Sequence, residues 1–141
     1  MKRGFRILEG FAHAKIPQRA TKKSAGYDIS AAKFALVEPG ETVLVETGLT
    51  AYMQDDEELQ IRPRSGLALK YGITVLNSPG TIDADYEGQH IKVMLYNTSD
   101  HYFTVNPGDR IAQAVFAKFL ITDDDQPADQ ERTGGFGHTG V

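Results

Sequence analysis

In the stretch Gln89-His-Ile-Lys-Val-Met-Leu-Tyr-Asn97, apolar residues return at every second position. An extended chain would therefore lay Ile91, Val93 and Leu95 on one face, the pattern of a half-buried β-strand. Working outward, Gly88 and Pro79-Gly80 stand before this run and Pro107-Gly108 after it; Pro39-Gly40 and Gly48 punctuate the first half of the chain. The runs between them are short and rich in Val, Ile, Thr, Phe and Tyr. Such spacing predicts an all-β sandwich or barrel. Residues 42–45 and 57–61 read as further strands.

Two segments need separate treatment. Ser65-Gly-Leu-Ala-Leu-Lys-Tyr71 has good helix formers, Ser65 as an N-cap and Gly72 as a stop, so one short helix is expected. Residues 110–120 fit either period, and the Pro-Gly turn ahead of them with the surrounding β pattern favours a strand. After Ile121 the composition changes. Asp123-Asp-Asp-Gln-Pro-Ala-Asp-Gln-Glu131 has almost nothing to bury. A β domain over residues 1–121 and a C-terminal arm over 122–141 are expected, the arm ending in Arg132-Thr-Gly-Gly-Phe-Gly-His-Thr-Gly140.

The 141 residues suit one domain; 40% are hydrophobic and 24% charged, as in a globular protein. No window approaches the roughly 18 uninterrupted apolar residues of a membrane-spanning helix. The N-terminal MKRGFRILEGFAHAK lacks the apolar core of a signal peptide. With no cysteine, disulfides, thiolate metal sites and a cysteine nucleophile are excluded, and a cytoplasmic location is expected. The net charge of −4 argues against a broadly basic nucleic-acid binder. Seven Lys/Arg and one Glu nevertheless crowd residues 1–23, and acidic runs sit at 55–58 and 123–125. Solvated faces are the plain reading of these charge runs.

Three segments carry groups suited to chemistry. Thr81-Ile-Asp83-Ala-Asp85-Tyr86-Glu87-Gly88 resembles the start of an EF-hand loop, but Met94 falls where a bidentate Glu is required. The segment then reads either as a tight β-hairpin or as a carboxylate placed to take a proton from water. Spacing does not separate Asp83 from Asp85, which would point to opposite faces if extended. Arg62-Pro-Arg64-Ser65-Gly66 before a helix is either a phosphate seat or a plain cap with surface arginines. It is not a Walker A loop, since no Gly-Lys-Ser/Thr follows. The Gly-rich tail could drape N–H groups over an anion, with Phe136 as a lid. His13, His90, His101 and His138 lack zinc-ligand spacing.

Five segments in order, Ala25-Gly-Tyr-Asp28, Pro63-Arg-Ser-Gly-Leu-Ala68, Ile82-Asp-x-x-Tyr86-x-Gly88, Gly108-Asp-Arg-Ile-Ala-Gln113 and Gly134-Gly-Phe-Gly-x-Thr-Gly140, resemble the homotrimeric deoxyuridine triphosphatase (dUTPase) family. The resemblance implies a distorted jelly-roll subunit, a homotrimer with active sites at its interfaces, and hydrolysis of dUTP to dUMP and pyrophosphate with Mg²⁺. Asp83 matches the general base. Tyr86 matches the ring that packs on the deoxyribose, and Asn77, Ile82 and the backbone of a hairpin over residues 77–88 would read the uracil. Phe136 matches the aromatic that closes over the base from a neighbouring subunit.

Arg64, Ser65, Gly66 and Gln113 fall on phosphate-binding positions, as do Arg132, His138 and Thr139 of the tail. Arg132 stands one residue nearer Phe136 than in the common family pattern, and His138 occupies a place where serine is frequent. The metal would be held through substrate phosphates and waters, with Asp28 behind the waters. Two rival functions remain open: a nucleotide-sensing or regulatory binding protein on the same trimer, and a dCTP deaminase.

Overall fold

The computed structural model describes residues 1–128; Arg132, Phe136, His138 and Thr139, and the readings attached to them, lie outside the described residues. Eleven strands and one helix form among the described residues. The strands are β1 (Gly4–Ile7), β2 (Gln18–Arg19), β3 (Tyr27–Ser30), β4 (Ala35–Val37), β5 (Thr42–Tyr52), β6 (Glu57–Arg62), β7 (Ile73–Val75), β8 (Gly80–Asp83), β9 (Ile91–Asn97), β10 (Phe103–Val105) and β11 (Arg110–Lys118). The helix α1 spans Ser65–Tyr71, and a 3-10 turn spans Ala84–Tyr86. Four strands pair in the order β1-β5-β9-β7, five in the order β2-β3-β11-β6-β8, and β10 pairs β4, all antiparallel.

This is the expected all-β jelly-roll architecture. Its two larger sheets turn their apolar rows into one core: Val45, Leu49, Val93 and Leu95 from one, Ile29, Leu59, Ile61 and Ile111 from the other. Each such side chain contributes about 1.5–3 kcal/mol by leaving water. Among the described residues no helix is long and apolar enough to cross a membrane.

The alternation of residues 89–97 decides the fold as expected, for Ile91, Val93 and Leu95 are all fully buried. The inward row then continues to a polar side chain, Asn97, which is also fully buried. Its amide is saturated. Nδ2 donates to the carbonyls of Val37 at 2.9 Å and His101 at 2.7 Å, while Oδ1 accepts from Ser99 N–H at 2.9 Å and Ser99 Oγ–H at 2.8 Å. A buried amide with all four valences bonded costs little to keep.

Three local readings are corrected. The strand expected over residues 42–45 runs on as β5, past a bulge between Glu46 and Leu49 where Gly48 takes φ 70°. The bulge breaks the ladder, and side chains fill the gap: Thr47 Oγ1 donates to Ile91 O and accepts Leu49 N–H, and His90 Nε2 accepts Gly48 N–H. A Cβ at Gly48 would stand 2.7 Å from that of Phe11, so glycine is required there twice over.

Ser65 is not the cap of α1. Arg64 occupies that position, extended at φ −95° and ψ 129°; its guanidinium has donors only and so offers no cap bond to the helix N–H groups, and it is turned toward Asp28 and the Arg110 carbonyl. Gly72 ends the helix as expected, in the left-handed region with its N–H on Ala68 O.

Residues 81–88 do not form a hairpin, nor do residues 77–88. β8 pairs β6 in the five-stranded sheet, whereas β9 pairs β5 and β7 in the other. The segment between them is a crossover through the 3-10 turn and Gly88, at φ 88°. Asp and Gly signal a turn, but they do not say which strands will pair.

Candidate active site

Three of the quoted motifs meet on the five-stranded sheet. Asp28 on β3 lies opposite Gln18 on β2 and Gln113 on β11, and Gln113 lies opposite Arg62 on β6. This register brings the loop after β6 over the row. The Asp28 carboxylate then sits between two guanidinium groups, with Oδ1 3.7 Å from Arg64 Nε and Oδ2 3.6 Å from Arg110 Nη1. Arg64 Nη1 donates to Arg110 O at 3.4 Å, and Gln113 Nε2 donates to Pro63 O at 3.0 Å. Ser65 and Gly66 follow on the exposed first turn of α1, and a Cβ at Gly66 would meet nothing within 4 Å. Two side chains missed as site residues stand alongside: Arg110, and Lys15, whose Nζ reaches over Gly108. With Arg19 they line a groove of about 800 Å³ that opens onto Asp28. Part of the basic excess of residues 1–23 is thus gathered at this site. That clustering was the available signal.

The carboxylate motif lies elsewhere. Asp83 ends β8 and starts the 3-10 turn, at φ −81° and ψ 159°. Asp83, Asp85, Asp55 and Phe119 line one groove of about 370 Å³. The two aspartates therefore do not point to opposite faces, because the chain leaves the extended conformation at Ala84. Tyr86 is buried, its ring in the core and its hydroxyl donating to His90 O at 2.7 Å. Ile82 is half-buried against the same core, and Asn77 is exposed in the loop before β8, beside Gly80.

The structure does not bring these two groups together within one chain. On β6, Arg62 is level with Gln113 and Glu58 is level with Asp83. Four residues of strand span about 13 Å, before the offset between strands is added. Asp28, with Lys15, Arg19 and Arg110, faces one groove and Asp83 another.

A family model described as dUTPase matches residues 12–140. The deoxyuridine 5'-triphosphate nucleotidohydrolase of Nautilia profundicola is 49% identical over 131 residues, covering 90% of this chain and 92% of that one. The chain belongs to the dUTPase family. The dUTPase crystal structure from Streptococcus mutans superposes with a TM-score of 0.80 at 35% identity, over 85% of this chain and 98% of that one. A single-residue variant of the dUTPase from phage phi11 of S. aureus, described with a structural Mg(II) ion, shares the fold at TM-score 0.79 and 22% identity, covering 94% and 100% of the two chains. The match to the dUTPase model runs through both grooves and on through the tail beyond the described residues.

Proposed function

We propose that the chain hydrolyses dUTP to dUMP and pyrophosphate at a site completed between copies of itself. The observation that carries this reading is the convergence of Asp28, Arg64 and Gln113 in one cluster, with Asp83 held well away from it. A triphosphate brings about four negative charges, which the acidic groove at Asp83 would repel. The cation-rich cluster suits the phosphates, and the carboxylate suits the water. Only a second copy, its Arg64 face set against the Asp83 groove of the first, puts both on one substrate. The homotrimer meets that need with three equivalent sites.

Within such a site, Arg64 and Gln113 would bind phosphate oxygens, with Ser65 Oγ and the backbone at Gly66 open to the same chain. Asp83 would accept a proton from the water that attacks the α-phosphorus, as the bond to the leaving pyrophosphate oxygen breaks. Tyr86, rigid in the core, would wall the sugar and leave no space for a 2'-hydroxyl. Asn77, Ile82 and the backbone around residues 77–88 would read the pyrimidine, and Phe136 from a neighbouring arm would cover it. Arg132, His138 and Thr139 would add donors to the phosphates.

Among the described residues no cluster of three or more His, Asp or Glu is arranged to cage a cation, and Asp28 is a lone carboxylate facing two arginines. That donor set fits Mg²⁺, which keeps several waters and is usually held through substrate phosphates. Asp28 would then hold it through water. When bound, the ion would offset charge on the phosphates and on the departing pyrophosphate.

The test is pyrophosphate release from dUTP with Mg²⁺, run beside dCTP, dTTP and UTP. Release from dUTP alone, abolished by EDTA, is expected. Asp83→Asn should fold normally and lose at least about 10²-fold in kcat, the low end for removing a general base. Unchanged turnover in that variant would remove Asp83 from the mechanism, and no release by the folded wild type would overturn the whole reading.

A further inference from the structure

His90 stands between the buried Tyr86 and the bulge of β5, and the reaction as described makes no use of it. Its Nε2 accepts the Gly48 N–H at 2.9 Å, so that nitrogen carries no proton and the ring is the neutral tautomer with its hydrogen on Nδ1. Nδ1 faces Glu46 Oε1 at 3.8 Å, and the Phe11 ring meets the imidazole edge-on at 4.7 Å between centroids. The carbonyl of the same residue accepts the Tyr86 hydroxyl at 2.7 Å. One residue therefore holds the bulge with its ring and Tyr86 with its backbone.

The loop over residues 86–90 is also tied at Gly88 and Glu87. Gly88 N–H donates to Thr50 Oγ1 at 2.8 Å, and Glu87 pairs with Arg6 at 2.7 Å on the exposed side. Thr50 does not titrate, and the exposed pair is weakly held. The tie at His90 is one that changes near neutral pH. Protonation would set an imidazolium N–H against the Gly48 N–H and leave that amide without its acceptor.

We infer that His90 is a positioning residue for sugar discrimination: the neutral ring seats the loop that holds Tyr86, and the protonated ring releases it. This rests on the reading of Tyr86 as the wall that excludes a 2'-hydroxyl. The charged and titratable groups around the ring are Glu46 on β5, Lys92 on β9, Lys33 beyond the Phe11 ring at 5.6 Å from its centroid, and the Tyr86 hydroxyl. Burial pushes the imidazole below its ordinary value of 6.5, Glu46 opposes this and Lys92 adds to it. The neutral form, and with it the tie, is complete above that value and is lost as the pH falls through the lowered one.

The experiment measures kcat/KM for dUTP and for UTP at about pH 8 and at an acid pH where the wild-type His90 imidazole is seen protonated by NMR, in the wild type, His90→Gln and His90→Leu. Protonation of the general base slows both nucleotides alike and cancels in their ratio. A wall displaced by a fraction of an ångström should lower the dUTP-to-UTP ratio about tenfold at the acid pH in the wild type. His90→Gln keeps an acceptor for Gly48 N–H without titrating, so its ratio should stay high at both pH values. His90→Leu should have the low ratio at both. A wild-type ratio that does not change with pH, or a His90→Gln ratio that falls as the wild type's does, overturns the inference. If His90→Leu fails to fold, the glutamine variant decides alone. Absence of any dUTP hydrolysis by the wild type overturns the enzymatic reading and this role with it, a result distinct from a flat ratio.

Discussion

Gly26 leaves a space that the Gln113 carboxamide fills. A Cβ there would overlap Gln113 Oε1 and come within 3.1 Å of the carboxamide carbon. Gln113 could not keep its bond to Pro63 O, so Gly26→Ala should raise KM for dUTP about tenfold, the worth of one hydrogen bond, with a smaller change in kcat. Steady-state kinetics beside a thermal melt would check this; an unchanged KM would mean that the amide is not needed where it stands. The glycine, the aspartate and the glutamine were all legible as motif residues. Their meeting was not, because which residue of β11 falls opposite Asp28 is set by strand register, which no local spacing records. Nor could spacing choose between Asp83 and Asp85, which share a groove because the chain bends between them. Only the family resemblance separated them.

Among the elements, β9 and β11 were readable and β5 only in part. An uninterrupted alternation identifies a strand, whereas β5 passes through Glu46, Thr47 and Gly48, residues that look like a break until distant side chains satisfy the bulge. The docking of the N-terminal strand was equally invisible, since its partners are all distant in sequence: β1 pairs β5, Phe5 packs on Tyr27 and Phe116, and one ion pair reaches β6. Arg3, just before β1, reaches Glu57 at the start of β6 with Nη2 at 2.6 Å from Oε2, while Glu57 Oε1 accepts Gln54 N–H. The Arg3 guanidinium, and then the Gln54 N–H, hold this carboxyl below its ordinary value of 4.5. A group lowered in the folded state stabilises above its ordinary value and loses that contribution as pH falls through the lowered one. Melting temperature should therefore fall with acidification in the wild type and fall less steeply in Arg3→Met. Parallel slopes in the two proteins would show that the pair does not join the sheets as described.

At the scale of the whole molecule, the separation of Asp83 from Arg64 makes a quantitative prediction about mixtures. Asp83→Asn and Arg64→Ala should each be inactive alone. Unfolded and refolded together in equal amounts, random trimers pair an intact Asp83 with an intact Arg64 at about a quarter of sites, so about a quarter of wild-type activity should return. A mixture as inactive as its components would place the whole site within one chain. The sequence made the all-β class plain but could not assign strands to sheets, and that assignment is what puts β11 in the middle of the five-stranded sheet, between β3 and β6. During synthesis this has a cost. A nascent chain ending before residue 110 leaves β3 and β6 with bare edges and Asp28 with no reason to lie near Arg64. Such fragments have no half-built site with a share of the activity; their bare strand edges are open to aggregation, and the chain becomes useful only when nearly all of it has been made.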